Sequence, residues 1–323
     1  GIPDVAQRYM GVSKEELAGI LYESVNNRIK PLPDEILVYP GHGAGSACGK
    51  NMMKETVDTL ENQKKINYAL NGSFSKEGFV KELTDNLPEP PTYFPSNVKL
   101  NQEGYLDFDK VLDRGLIPLD LEKFIFLSSQ ENTIILDVRN QNIFKNGFVP
   151  GSIFIGLNGG FAPWVGAVLK DINIKILLVC EESQAKEAIM RLSRVGFDNC
   201  LGYLKGGFKT WQNSSNPIDT IDSKSAKEFE KSINDNIKIL DVRQVGERNN
   251  GYLKNSEHIP LALIDSDNKS LNKSSKYHIH CAGGYRSMIA CSILKKNGFD
   301  NTIDIEGGFG SISNNTSLEI LQN

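Results

Sequence analysis

The chain has 323 residues, 39% hydrophobic and 24% charged, with a formal net charge of −4. That length predicts two or three domains, and the apolar content is enough to bury more than one core. The charge balance leaves no basic footprint for nucleic acid or an anionic membrane surface, and no run of about eighteen apolar residues occurs that could span a bilayer.

The chain opens "GIPDVAQRYM", with no methionine and no domain-opening element, and reads as cut from something longer. Ser13 and Glu16 form the sequence pattern of a capping box, which predicts a helix running to about Arg28. "KPLPDE" stops it, a strand is expected over Ile36–Tyr39, and "PGHGAGSACGK" follows. Ala44–Lys50 fits a loose phosphate-loop pattern. However, Asn51 stands where Ser or Thr would hold magnesium, and the helix-opening context is wrong. A proline-rich seam, "LPEPPTYFP" (87–95), closes this region.

Beyond it the chain repeats itself. "IILDVRN" (134–140) recurs as "KILDVRQ" (238–244), and "VGFDNCLGYLKGGF" (195–208) as "NGFDNTIDIEGGF" (297–309). The offsets are 104 from Asp137 to Asp241 and 102 from Gly196 to Gly298, so a unit of about 100 residues is duplicated, well above solenoid periods. Short apolar runs at Thr133–Val138, Ile174–Val179, Ile237–Val242 and Lys276–His280 predict buried strands. Ala185–Val195 and Arg286–Asn297 predict helices between them. Such alternation predicts an α/β unit with a parallel sheet covered on both faces. The polar stretch 211–223, with Pro217, is the seam between repeats. The predicted domains are 1–95, 96–214 and 215–323.

The second repeat ends a strand in Cys281 and continues Ala282-Gly283-Gly284-Tyr285-Arg286-Ser287. The C-terminal end of such a strand is where α/β ligand sites lie. The small residues let successive N–H groups turn inward as an anion nest, and the following helix adds its positive N-terminal end. Arg286 supplies a cation and Ser287 a hydroxyl. Together these favour thiolate over thiol at Cys281. His280 and His278 share one strand face; His280 is expected beside the site and His278 in the structure, like Cys291 on the following helix. In the first repeat Cys180 is followed by Glu181 and Glu182, has no glycine pair, and has Ala185 at the position counted to the arginine. That thiol is expected to be inactive, and Cys200 is expected in the core. The five cysteines, with Cys48, are odd in number and lack zinc-ligand spacing, as free thiols of a reducing compartment would be.

The stretch from Cys281 to Ser287 resembles the active loop of rhodanese sulfurtransferases, with "LDVR" (240–243) and "EHIPLA" (257–262) upstream and "EGGF" (306–309) downstream. Related phosphatases have one residue more between cysteine and arginine. The resemblance implies Cys281 as sulfur carrier and Arg286 as its cation. The sulfur would be cradled by Ala282, Gly283, Gly284, Tyr285 and Ser287, with His280 adjacent. Residues 39–51 resemble the C-terminal metal-site loop of metallo-β-lactamase-fold enzymes, with His42 at a metal-site position and Cys48 near a substrate pocket. The order of units, with "GFAPWVGAVL" (160–169) and "NQKKINYAL" (62–70), is similar to bacterial persulfide dioxygenase–rhodanese fusions.

That resemblance implies the C-terminal part of a metallo-β-lactamase αββα fold followed by two rhodanese-like α/β domains, the first non-catalytic. It implies cytoplasmic sulfide detoxification, in which Fe(II) oxidises a low-molecular-weight persulfide and the rhodanese domain moves a sulfane sulfur among persulfides, thiosulfate, sulfite and thiols. The iron ligands would lie upstream of the given residues, since His42 alone cannot hold a metal. Homo-oligomerisation is left open. A cysteine-dependent phosphatase and a non-catalytic sulfur- or redox-sensing module are the competing readings.

Overall fold

The computed structural model describes residues 12–41, 54–85, 93–234 and 237–322. The chain forms two compact units, 1–98 and 99–323. In the first, the capping box holds: Ser13 Oγ accepts from the Glu16 N–H, and Glu16 accepts from the Ser13 N–H, opening α1 (Lys14–Ser24). The helix continues through one π-helical segment, Val25–Ile29, so the predicted end near Arg28 is met. The strand expected over Ile36–Tyr39 shortens to β1 (Leu37–Val38), antiparallel to β2 (Asp58–Thr59). Two helices, α2 (Leu60–Ile66) and α3 (Lys76–Thr84), complete the described part.

The second unit holds both repeats. After α4 (Phe94–Glu103) and α5 (Phe108–Gly115), the first repeat comprises β3 (Pro118–Leu119), α6 (Leu121–Ser128), β4 (Thr133–Asp137), α7 (Gln141–Phe144), β5 (Ile153–Phe154), α8 (Phe161–Leu169), β6 (Lys175–Val179), α9 (Glu182–Ser193), β7 (Cys200–Leu204) and α10 (Gly207–Gln212). The second comprises β8 (Asp222–Lys224), α11 (Ala226–Ser232), β9 (Lys238–Asp241), α12 (Val245–Asn249), β10 (Tyr252–Leu253), β11 (Ser256–His258), α13 (Ile264–Asp267), β12 (Tyr277–His280), α14 (Tyr285–Lys296), β13 (Thr302–Ile305), α15 (Gly308–Asn315) and β14 (Ile320–Leu321). The sheets run β3-β7-β6-β4-β5 and β8-β13-β12-β9-β11, all parallel and in the same order. The apolar runs are therefore continuous rather than alternating because helices cover both sheet faces.

The repeated sequence motifs meet in space. At the end of β4, Arg139 grips Asp137 (2.6 Å), donates to the Gly147 carbonyl (2.8 Å) and lies 4.2 Å from the Phe208 ring centroid. At the end of β9, Arg243 grips Asp241 (2.7 Å), donates to Gly251 (2.8 Å) and lies 3.8 Å from the centroid of Phe309. The Asp-Val-Arg and Gly-Gly-Phe stretches are thus two halves of one buried contact. The repeats are also joined. The Phe154 N–H on edge strand β5 donates to Ser292 Oγ of α14 (3.0 Å, both buried), satisfying a group that no further strand pairs.

Removing one member of a buried ion pair strands the other charge, which costs about 3–5 kcal/mol. Asp137→Ala should therefore lower the unfolding free energy by that amount in urea titration. A loss well below 1 kcal/mol would mean that the Arg139 carbonyl and ring contacts suffice alone.

Candidate active site

Strand β12 is the central strand of its sheet and is buried along its whole length, and it ends directly before Cys281. The strand order thus delivers the thiol to the middle of the sheet's C-terminal end, with 1% of its surface exposed. Gly284, at φ 95°, turns the chain into α14 while its N–H donates to Cys281 Sγ at 3.1 Å. Ser287 Oγ lies 3.6 Å from the same sulfur and donates to the Gly284 carbonyl at 3.1 Å.

The downstream glycines fix this loop from behind. The Phe309 N–H donates to the Cys281 carbonyl (2.6 Å) and the Gly310 N–H to that of Ala282 (3.0 Å). Gly308 sits at φ 54°, and a Cβ there would overlap the Cys281 carbonyl oxygen. Gly207 plays the same part in the first repeat, where a Cβ would come within 2.8 Å of the Cys180 carbonyl oxygen.

Arg286 is the second residue of α14. Its guanidinium forms a two-bonded pair with Glu247 of α12, at 2.6 Å for each bond, and lies 5.7 Å from the Trp164 ring of the first repeat. Burial pushes the Glu247 carboxyl up, but Arg286 and the Gln244 N–H outweigh it and hold it below the usual carboxylate value. The cation is thus held in place by a partner 39 residues away in sequence. The repeat alignment carries the signal for this pair: at the Asp137-to-Asp241 offset, Glu247 falls on Ile143, so acid and arginine are absent together from the first repeat.

His280 is fully buried. Its Nδ1 lies 3.4 Å from the Cys281 carbonyl oxygen and 3.9 Å from Asp241, and its ring stacks on Phe309. Burial, against the pull of Asp241, lowers its pKa to about 4, so the imidazole is neutral at pH 7. His278 packs on Phe229 and contacts Lys224 (3.4 Å), with its pKa likewise lowered to about 4, first by burial. Tyr285, expected among the loop's binding residues, lies at the repeat interface. Its hydroxyl donates to the Gly156 carbonyl (2.6 Å), and its ring packs against Gly159 and Phe154.

In the first repeat, Cys180 occupies the matching strand end. Its pKa is raised to about 12, by burial first and only then by Asp137, Cys200, Glu181 and Glu182, so the adjacent carboxylates are a lesser cause than the sequence suggested. Counting forward from the cysteine puts Ala185 at the arginine position. Counting back from Gly196 and Gly298, both at φ 82°, puts Gln184 there, because the first loop is one residue shorter (16 against 17 residues from cysteine to glycine). Gln184 accepts the Glu181 N–H as a helix cap, while Ala185 is core. Cys200 and Cys291 are fully buried, with pKa values pushed up by burial. His42 and Cys48 lie outside the described residues. Among the described residues no group of three His, Cys, Asp or Glu side chains is placed to hold a metal, and no helix is long and apolar enough to cross a membrane.

The rhodanese-like domain model matches residues 121–214 and 225–315, more than half of the chain. The chain is similar to YrkF of Bacillus subtilis (30% identity over 106 residues, 32% of this chain and 55% of that protein). It is also similar to the thiosulfate sulfurtransferase GlpE of Shewanella oneidensis (26% over 98 residues, 30% and 93%). Among solved structures, a metallo-beta-lactamase from Staphylococcus aureus matches over 60% of this chain and 51% of that one (28% identity, TM-score 0.49). A rhodanese-like domain protein of the same species matches over 31% and 97% (32% identity, TM-score 0.28). The chain spans about half the length of YrkF and of the metallo-beta-lactamase.

Gly308→Ala should displace the Cys281 loop, since the new methyl and the Cys281 carbonyl oxygen cannot both stay. A strained left-handed residue plus this overlap should cost about 1–3 kcal/mol. Cys281 alkylation kinetics should change with it, whereas unchanged stability and kinetics would show that the loop is not held from behind.

Proposed function

The chain belongs to the rhodanese-like domain family, and from that premise we propose a sulfurtransferase that carries a sulfane sulfur on Cys281. The single observation that carries this reading is a cysteine sulfur held under the Gly284 N–H at the mouth of α14, with a fixed arginine two residues after that glycine. The Cys281 thiolate attacks the outer sulfur of thiosulfate or a persulfide. The S–S bond of the donor breaks, sulfite or a thiolate leaves with the electron pair, and Cys281 holds a persulfide. A thiol or sulfite then attacks the outer sulfur and regenerates the thiolate, so no oxidant or reductant is consumed. The Gly284 N–H and the end of α14 stabilise the anionic sulfur, and Arg286 draws in the anionic donor.

The finer reading is sulfide and persulfide detoxification in the cytoplasm, with small persulfides, thiosulfate, sulfite and thiols as partners. What supports it is the similarity of residues 39–51, 62–70 and 160–169 to persulfide dioxygenase–rhodanese fusions. The described residues offer no site that fits Fe(II), so no step above runs through a metal. The six-residue span from Cys281 to Arg286 favours a single sulfur over a phosphate. Activity on an aryl phosphate but not on thiosulfate would reverse that preference.

Thiosulfate should add one sulfur atom to the peptide containing Cys281, removable by cyanide, as read by mass spectrometry. Cys281→Ser should abolish both adduct and turnover, while Cys180→Ser should stay within a few-fold of the parent. An adduct without steady-state turnover would make the chain a sensor. Sulfur on Cys180, Cys200 or Cys291 with Cys281 unmodified would overturn the assignment.

Arg286→Ala removes the cation and leaves the Glu247 carboxylate unpaired close by. A charge-assisted contact is worth about 1.5–3 kcal/mol, so sulfur transfer from thiosulfate should fall roughly ten- to a hundred-fold. Arg286→Lys should recover only part of this, because an ammonium cannot match the two carboxylate oxygens as a planar fork does. A rate within two-fold of the parent in Arg286→Ala would remove the arginine from the mechanism.

A further inference from the structure

We propose that Glu247 sets the charge of the sulfur donor that the Cys281 site accepts: by offsetting Arg286 it favours a singly charged organic donor over the dianion thiosulfate. This rests on Cys281 being the reacting thiol. Glu247 takes both outer nitrogens of the Arg286 guanidinium, at 2.6 Å each. Against burial, Arg286 and the Gln244 N–H keep its carboxyl below the usual value, so it is ionised at neutral pH. The loop is already held from behind by the Phe309 and Gly310 N–H groups. What the carboxylate adds is charge, and a site built only to draw in anions would leave its arginine unpaired.

The pair belongs to a larger set. Arg243 donates to the Glu247 carbonyl (3.5 Å) and pairs with Asp241 (2.7 Å), which Arg248 also reaches (3.3 Å). These linked side chains are three arginines and two carboxylates, one net positive charge, and His280 beside them is neutral at pH 7. Ionised Cys281 cancels that charge. A second negative charge on the donor therefore meets no unpaired cation in this set. On its other flank Arg286 has the Trp164 ring of the first repeat at 5.7 Å, an aromatic face rather than a further cation. In the first repeat Ile143 and Gln184 stand at the positions of Glu247 and Arg286, so acid and arginine occur together or not at all.

Two small anions isolate the effect of one charge. Thiosulfate and methanethiosulfonate both carry an outer sulfur on an oxidised sulfur, and a methyl group in the second replaces an anionic oxygen of the first. With either, the Cys281 thiolate attacks the outer sulfur and the donor's S–S bond breaks. Sulfite leaves from one and methanesulfinate from the other, each with the electron pair, so no oxidant or reductant is consumed. One unit charge a few ångströms away at a partly exposed site is worth about ten-fold in rate.

The test compares kcat/KM for sulfur transfer to cyanide from these two anions. They differ in intrinsic reactivity, so the readout is the change in their ratio between parent and variant, which also cancels any loss of folded protein. Glu247→Gln should move the ratio about ten-fold toward thiosulfate, and by less at high salt. Glu247→Asp keeps the charge and should leave the ratio as in the parent. An unchanged ratio in Glu247→Gln, with both rates lowered alike, would make the acid a mere support for Arg286 and overturn the proposal. An equal shift in Glu247→Asp would assign the effect to geometry and overturn it too. If neither anion leaves sulfur on Cys281 of the parent, the sulfurtransferase reading fails, and alkylation of that thiol decides the charge inference separately. Glu247→Gln should then raise the rate with iodoacetate about ten-fold relative to neutral iodoacetamide, and an unchanged ratio there would end it.

Discussion

Both repeats are organised around one buried ion pair at the end of a parallel strand. Asp241 and Arg243 sit two residues apart, too close in sequence to determine a fold by themselves. Their effect comes from what the guanidinium touches next: the Gly251 carbonyl and the face of Phe309. Phe309 opens α15, and its own N–H holds the Cys281 carbonyl. The pair therefore fixes the ring, the ring and its N–H fix the loop, and the loop aims the sulfur. A hydrophobic cluster in its place could be as stable, but it would not set the register between the end of β9 and the turn after β12.

The same frame stands in the first repeat with different side chains around its cysteine. Asp137, Arg139 and Phe208 reproduce the clamp, and Gly207 reproduces the support under the cysteine. What differs is polar. Arg248, 3.3 Å from Asp241, corresponds to Phe144; His280 to Val179; Glu247 to Ile143. Burial pushes the Asp241 carboxyl up, yet its hydrogen bonds and charge pairing with Arg243 hold it below its usual value. The second repeat thus keeps a charged floor under its loop, whereas the first has apolar side chains at the matching positions.

The strands were legible because a parallel sheet buried on both faces writes itself as continuous apolar runs: three of the four predicted strands end within one residue of Val138, Val179 or Val242, and the fourth ends at His280. The cysteine loop was legible because its glycines and arginine are contiguous. Arg286 pairing with Glu247 was not, since the two lie on separate helices, α12 and α14, 39 residues apart, and nothing local marks the acid. Tyr285 misled for a related reason. Its place in the loop says that it is near the thiol, but which way its ring turns depends on the surface offered by Gly156 and Gly159 of the other repeat. The Ala185 count failed because a loop shortened by one residue shifts every later position on the helix by about 100°.

These last contacts show what the first repeat contributes to the helix that follows Cys281. Helix α14 must begin at the sulfur and cannot shift along its axis without moving Gly284 and Arg286. Ser292 anchors it about two turns after its start, at the edge strand of the first repeat, and Lys295 anchors its last turn through Asp219 (2.7 Å). Tyr285 wedges its first turn against Gly159. The first repeat therefore touches the helix at its start and middle and the seam between the repeats touches its end, so the geometry at Cys281 belongs to the pair of repeats rather than to the second alone.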